Sequence, residues 1–150
     1  MLRTPDAFMR EGSRVFRVAA TDKTLVRSLI EAAQAKAGDA KIEAVSLDTR
    51  VEAAYDAVFD CCLAVLNAAG YRIGSAPGHH EQALEAACAL IRAGERLFDN
   101  LDALRDVRNQ KYTGARRTAA DLEIAHTALG EFSELAVDWL QRNYDALLRD

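Results

Sequence analysis

Between Leu47 and Ala69, apolar side chains recur at Val51, Tyr55, Val58, Cys62, Val65 and Ala69, three or four residues apart. This spacing gathers them into one stripe along an α-helix and would split them between the two faces of a strand. Gly70 follows at once, and helices commonly end at a residue that takes positive φ. A long helix with one continuous apolar face must bury that face, so the rest of the chain has to supply partners for it.

The rest of the chain repeats the pattern. Thr21 or Asp22 can cap a helix running to about Lys36, with Leu25, Leu29 and Ala32/Ala33 on one face. Gly38-Asp39 ends it, and a loop is expected up to about Ser46. Gly70 to Gly78, which contains Gly-Ser-Ala-Pro-Gly, is expected to be a loop as well. A third helix spans His79 to about Ile91, and a fourth about Gly94 to Tyr112. A fifth opens on Thr118-x-x-Asp121, a variant capping box, and runs toward Leu148 on the stripe Leu122, Ala125, Leu129, Phe132, Ala136, Trp139/Leu140 and Leu147. Residues 1–20 read as an arm or a short helix. The expectation is one all-α domain over residues 1–150, an antiparallel bundle of about five helices with no sheet.

Composition agrees and excludes several classes. The 150 residues suit a single domain, and the abundance of alanine with only 8 Gly and 2 Pro favours helix. No apolar segment approaches the roughly 20 residues that cross a bilayer, and no apolar run follows the N-terminus, so a cytoplasmic protein without membrane contact is expected. Cys61, Cys62 and Cys88 match neither a disulfide framework nor zinc spacing and read as small hydrophobes. Phosphate-cradling glycine loops and metalloprotease motifs are absent from the sequence. Glu123-x-x-His126 has the spacing of a di-iron ligand pair, but no second copy accompanies it. Neither a metal nor a cofactor is expected.

One stretch departs from this plain picture. On the fourth helix Leu97, Leu101 and Leu104 make a stripe whose next position is Arg108, with Arg105 one step round and Lys111 and Tyr112 beside it. Between Arg105 and Arg117 stand five cations (Arg105, Arg108, Lys111, Arg116, Arg117) and one acid, Asp106, in a chain of formal net charge −4. Cations near a helix C-terminus complement its dipole, and Gly114 suits the residue that ends such a helix. This accounts for Lys111, Arg116 and Arg117. It accounts poorly for Arg108, because an apolar stripe is a costly place for a guanidinium without an anionic partner. Either an internal carboxylate or an external anion answers Arg108.

The run Leu104-Arg105-Asp106-Val107-Arg108-Asn109-Gln110-Lys111-Tyr112-Thr113-Gly114 resembles the Arg-Asn-x-x-x-His/Tyr segment of HEPN domains (higher eukaryotes and prokaryotes nucleotide-binding). Arg50 to Phe59, closing at Ala69-Gly70, is similar to the family's second helix, and the loop into His79-His80 to the start of its third. The resemblance covers about residues 46–142. It implies a helical bundle that pairs as a homodimer around an arginine-lined cleft, often a toxin-type ribonuclease silenced by a nucleotidyltransferase-type partner. Arg108, Asn109 and Tyr112 then occupy the catalytic positions, and Arg105 and Lys111 flank them as contacts for RNA or nucleotide phosphate. Tyr112 stands where the family's histidine would be, and a phenol of pKa about 10 is a poor base at neutral pH. Cleavage is thus left open. His79, His80 or His126 could supply the missing imidazole only if the fold, or a second chain, brings one to Arg108. The alternative function is a non-catalytic helical module whose basic patch binds an acidic protein partner. The length of the fifth helix, with its continuous stripe, also points to a homodimer.

Overall fold

The computed structural model describes residues 1–110, 114 and 116–150. Among these it is an all-α bundle, with helices α1 (Pro5–Arg10), α2 (Lys23–Asp39), α3 (Leu47–Ala68), α4 (His79–Ile91), α5 (Glu95–Asn109) and α6 (Ala119–Leu148). Side-chain caps mark several starts. Asp22 accepts from the Leu25 N–H, Ser46 from that of Thr49, and Thr118 and Asp121 form the reciprocal capping box anticipated from the sequence. Each such cap stabilises its helix by about 1 kcal/mol. Toward its end α6 is interrupted at Tyr144, whose backbone leaves helical geometry (φ −140°, ψ 37°).

The axis of the fold is α3. Val51, Ala54, Tyr55, Ala57, Val58, Cys62 and Val65 are all fully buried, which a helix achieves only when neighbours cover most of its circumference. α2, α4, α5 and α6 all pack against it. The small side chains of Ala54 and Ala57 let neighbours approach, and Leu97, Leu101 and Leu104 of α5 and Phe132 of α6 complete the same core. Cys62 and Cys88 are buried and all three cysteines are free, as expected of small core residues. Trp139 is half-buried against this core, its ring centroid 5.2 Å from that of Tyr144.

Two sequence expectations need correction. The fold contains a small sheet: β1 (Phe16–Val18) pairs antiparallel with β2 (Tyr71–Ile73), in the register Phe16↔Ile73, Arg17↔Arg72, Val18↔Tyr71. The segment after Gly70 is therefore part strand, and residues 1–20 hold both a short helix and a strand. The ribbon persists because it closes a second apolar cluster of Phe8, Val15, Phe16, Leu66, Ala83 and Ala86. Its consequence for α4 is direct, since it fixes the path from the end of α3 to Gly78.

The second correction concerns α6. Most of the stripe from which pairing was expected is covered within the chain: Leu122, Ala125, Leu129, Phe132, Ala136 and Leu140 are buried, and Trp139 and Leu147 are half-buried. Among the described residues, no helix is long and apolar enough to cross a membrane.

Candidate functional site

The start of α4 meets the end of α5 in a cleft of about 210 Å³, lined by Gly78, His79, His80, Glu81, Arg105, Arg108 and Asn109. Three of the five residues anticipated from the sequence thus share one wall: Arg105, Arg108 and Asn109. Lys111 and Tyr112 lie outside the described residues. His79 and His80 do reach Arg108's cleft, whereas His126 sits half-buried on α6 and is not among the lining residues. No group of three or more His, Cys, Asp or Glu able to hold a metal occurs among the described residues, and the Glu123/His126 spacing finds no complement.

The α4 side of the cleft is a bare helix terminus. Gly78 is the N-cap at φ 82°, a left-handed conformation that favours glycine, and it has no side chain with which to cap the helix. The first intrahelical bond runs from the Gln82 N–H to the Gly78 carbonyl (3.0 Å), so the N–H groups of His80 and Glu81 precede the ladder. Open N–H groups and the positive end of the helix dipole together favour an anion there.

The α5 side supplies the two arginines, and their surroundings differ. Arg105 is well matched: Nε donates to Asp102 (2.9 Å), and Asp106 (3.5 Å) and Glu81 (3.9 Å) stand near its Nη2. Arg108 is not. Its guanidinium lies 5.4 Å above the centroid of the Tyr55 ring, and its closest carboxylate, Asp56, is 4.0 Å away and half-exposed. Its Nε is sealed from solvent and has no hydrogen-bond partner among the described residues. A donor left unused on a charged group is costly, and the described side chains leave this arginine incompletely satisfied; the sealed Nε is out of reach of a ligand, so any anion in the cleft would be met by the Nη groups. The internal-carboxylate alternative is answered only by a distant Asp56, whose carboxyl is pushed up by its own burial despite Arg108.

Backbone geometry keeps Arg108 in place. The buried Arg117 side chain donates to the Arg108 carbonyl oxygen, capping the end of α5, while the Arg117 N–H donates to Asp48 in the first turn of α3 (3.0 Å). Arg116 also pairs with Asp48, at 3.3 Å, from an exposed position. Among the described residues of the basic run, Arg105, Arg116 and Arg117 are matched by acids and Arg108 is underused.

His80 was the residue least legible beforehand. Its Nδ1 is 2.8 Å from the Tyr55 hydroxyl, its ring stacks on Phe59 at 4.1 Å, and the His79 ring meets it edge-on at 4.5 Å. Burial, helped by His79 and the two arginines, lowers its pKa to about 4, so the ring is neutral at pH 7. The neighbouring phenol holds its proton firmly, because burial pushes the Tyr55 pKa well up.

No family model, curated protein or solved structure matches this chain, so the site is read on its own chemistry.

Proposed function

We propose that the protein is a HEPN-like helical module that binds a phosphate group of RNA or of a nucleotide in the α4–α5 cleft. Arg108 is the principal contact and Arg105 a second, and Lys111 is the further phosphate contact that the resemblance implies. The observation that carries this reading is the underused Arg108 guanidinium, 4.0 Å from its nearest carboxylate, facing the same cleft as the uncapped start of α4. The cleft-lining side chains bear two positive charges (Arg105, Arg108) and one negative (Glu81), which matches a singly charged phosphodiester. A space of 210 Å³ lies below the roughly 300 Å³ at which ligand pockets usually start, so the cleft takes the phosphate and leaves the rest of the ligand outside.

Binding is favoured over cleavage as its activity. A base of pKa about 4 is a weak proton acceptor at pH 7, so His80 does not readily replace the histidine missing from the motif. Asn109 lines the cleft, and Tyr112 keeps the role the resemblance gives it. The resemblance also supplies pairing into a homodimer and a nucleotidyltransferase-type protein partner. Sedimentation at tens of micromolar tests the pairing, and a monomer at that concentration removes it from the reading.

The test of the main reading is anisotropy of a labelled single-stranded RNA with the parent protein and Arg108→Ala, over a salt series. Binding should fall with salt, as phosphate contacts require, and fall at least about tenfold in the variant. Equal binding by both proteins overturns the reading, and so does a variant that loses about 3 kcal/mol of stability, the mark of a stranded internal charge.

A further inference from the structure

One cleft-lining residue, His80, belongs to a hydrogen-bonded pair for which the arginine motif has no place. Tyr55 comes from the middle of α3 and is fully buried, and its hydroxyl meets Nδ1 of His80 at 2.8 Å. One of the two groups must donate. A phenol is the better donor and an imidazole nitrogen the better acceptor, and no other hydrogen-bond partner of the Tyr55 hydroxyl is found among the described residues. If Nδ1 carried the hydrogen instead, the phenol O–H would be left unpaired inside the core, a costly arrangement. The hydrogen of a neutral His80 therefore belongs on Nε2. That nitrogen has no partner among the described residues, yet it is not one of the polar atoms sealed from solvent.

We propose that Tyr55 and His80 give the cleft a third, uncharged anion donor: Tyr55 fixes the imidazole tautomer, and His80 offers its Nε2–H to a phosphate held by Arg108. This inference rests on the phosphate reading above and adds two residues to it, His80 as a contact and Tyr55 as a positioning residue. The ring is held to that task. Phe59 stacks on its face, 15° from parallel, and His79 closes its edge. The charged groups around it are Arg105 and Arg108 from α5 and Glu81 from its own helix. Both arginines and the burial of the ring disfavour an imidazolium, so the donor works without adding charge. The bare N–H groups at the start of α4 belong to the same residue and its neighbour, so side chain and backbone of His80 converge on one ligand.

Nitrogen NMR of the histidine-labelled full chain tests the first half. His80 should show a pyridine-like Nδ1 and a protonated Nε2 at pH 7, and Tyr55→Phe should convert this into a mixture. A protonated Nδ1 in the parent protein overturns the proposal. The second half is tested by titrating dimethyl phosphate, the smallest phosphodiester. His80→Leu should weaken binding about fivefold, the loss of one neutral hydrogen bond. His80→Gln, whose amide N–H can stand in for Nε2–H, should stay within about twofold of the parent. If His80→Leu binds as tightly as the parent while Arg108→Ala does not bind, the inference fails and the phosphate reading stands. If Arg108→Ala binds like the parent, the phosphate reading fails and takes the inference with it.

Discussion

Among the described residues two arginines lie over aromatic rings, and their donors are used differently. Arg3 sits 4.3 Å above the Phe8 ring and Arg108 5.4 Å above that of Tyr55. Arg3 donates from its backbone N–H (2.9 Å), Nε (2.8 Å) and Nη2 (3.2 Å) to the buried Glu85, and from Nη1 to Glu11 (3.0 Å). Among the described residues Arg108 has one carboxylate, at 4.0 Å, and a sealed Nε without a partner. The first ties the N-terminal segment to α4. The second has donors to spare on the same side of the fold as an uncapped helix terminus. A ring beneath the guanidinium is common to both, so the ring does not mark function. What separates them is whether the donors are used.

The largest expected effect falls on the Arg3 side. Glu85→Ala removes the acceptor of three hydrogen bonds and should cost about 2 kcal/mol of stability, below the full price of a buried pair because Arg3 itself is half-exposed. Chemical denaturation measures it, and RNA binding should not change. A binding defect in this variant would break the comparison, since the structural arginine would then serve the cleft as well.

Arg108→Ala should behave the opposite way, with binding reduced at least about tenfold and stability shifted by less than about 1 kcal/mol. The same two assays on both variants make a crossed design. If Arg108→Ala proves the more destabilising of the two, Arg108 serves the fold through Asp56 and the comparison fails.

The arrangement behind this contrast was partly legible in the sequence. The caps at Asp22 and Thr118/Asp121 and the stripe from Val51 to Val65 are local signals, and they placed α2, α3 and α6 to within a few residues. The position of Arg108 on the leucine stripe of α5 was likewise readable from helical spacing. The ribbon was not, because its strands are three residues each and pair Phe16 with Ile73, far apart in the chain. Nor was the meeting of His80 with Tyr55 and Arg108, which depends on how α4 and α5 pack on α3. The available hint was Pro-Gly-His-His, a glycine start that leaves the following helix uncapped.

A separate effect appears with pH. His80 titrates at about 4 in the fold against an ordinary 6.5, so the unfolded chain takes up its proton first as pH falls. Its contribution to stability is therefore complete above about pH 6.5 and is lost as pH drops toward about 4. Carboxylates titrate in the same range, so the readout is the difference between the parent and His80→Gln, measured by denaturation at several pH values. The two curves should converge at the acid end. Parallel curves would mean that His80 is not held neutral in the fold.

The smallest effect separates backbone strain from ligand contact. Gly12 and Gly78 have φ of 93° and 82°, and an added Cβ meets nothing within 4 Å at Gly12 and only the Gln82 side-chain nitrogen, at 3.7 Å, at Gly78. Alanine at either position should therefore cost a similar amount, about 1 kcal/mol, from the left-handed backbone alone. Gly12 lies near the Arg3 network, after α1, while Gly78 lines the cleft at the mouth of α4. Gly78→Ala should additionally weaken dimethyl phosphate binding, because it strains the left-handed turn from which the open N–H groups of α4 start, whereas Gly12→Ala should leave binding unchanged. Equal stability losses with unequal binding place the α4 terminus in the site. Equal binding by both variants would mean that the anion rests on the arginine side of the cleft alone, and that the uncapped turn is no more a part of the site than the Arg3 network is.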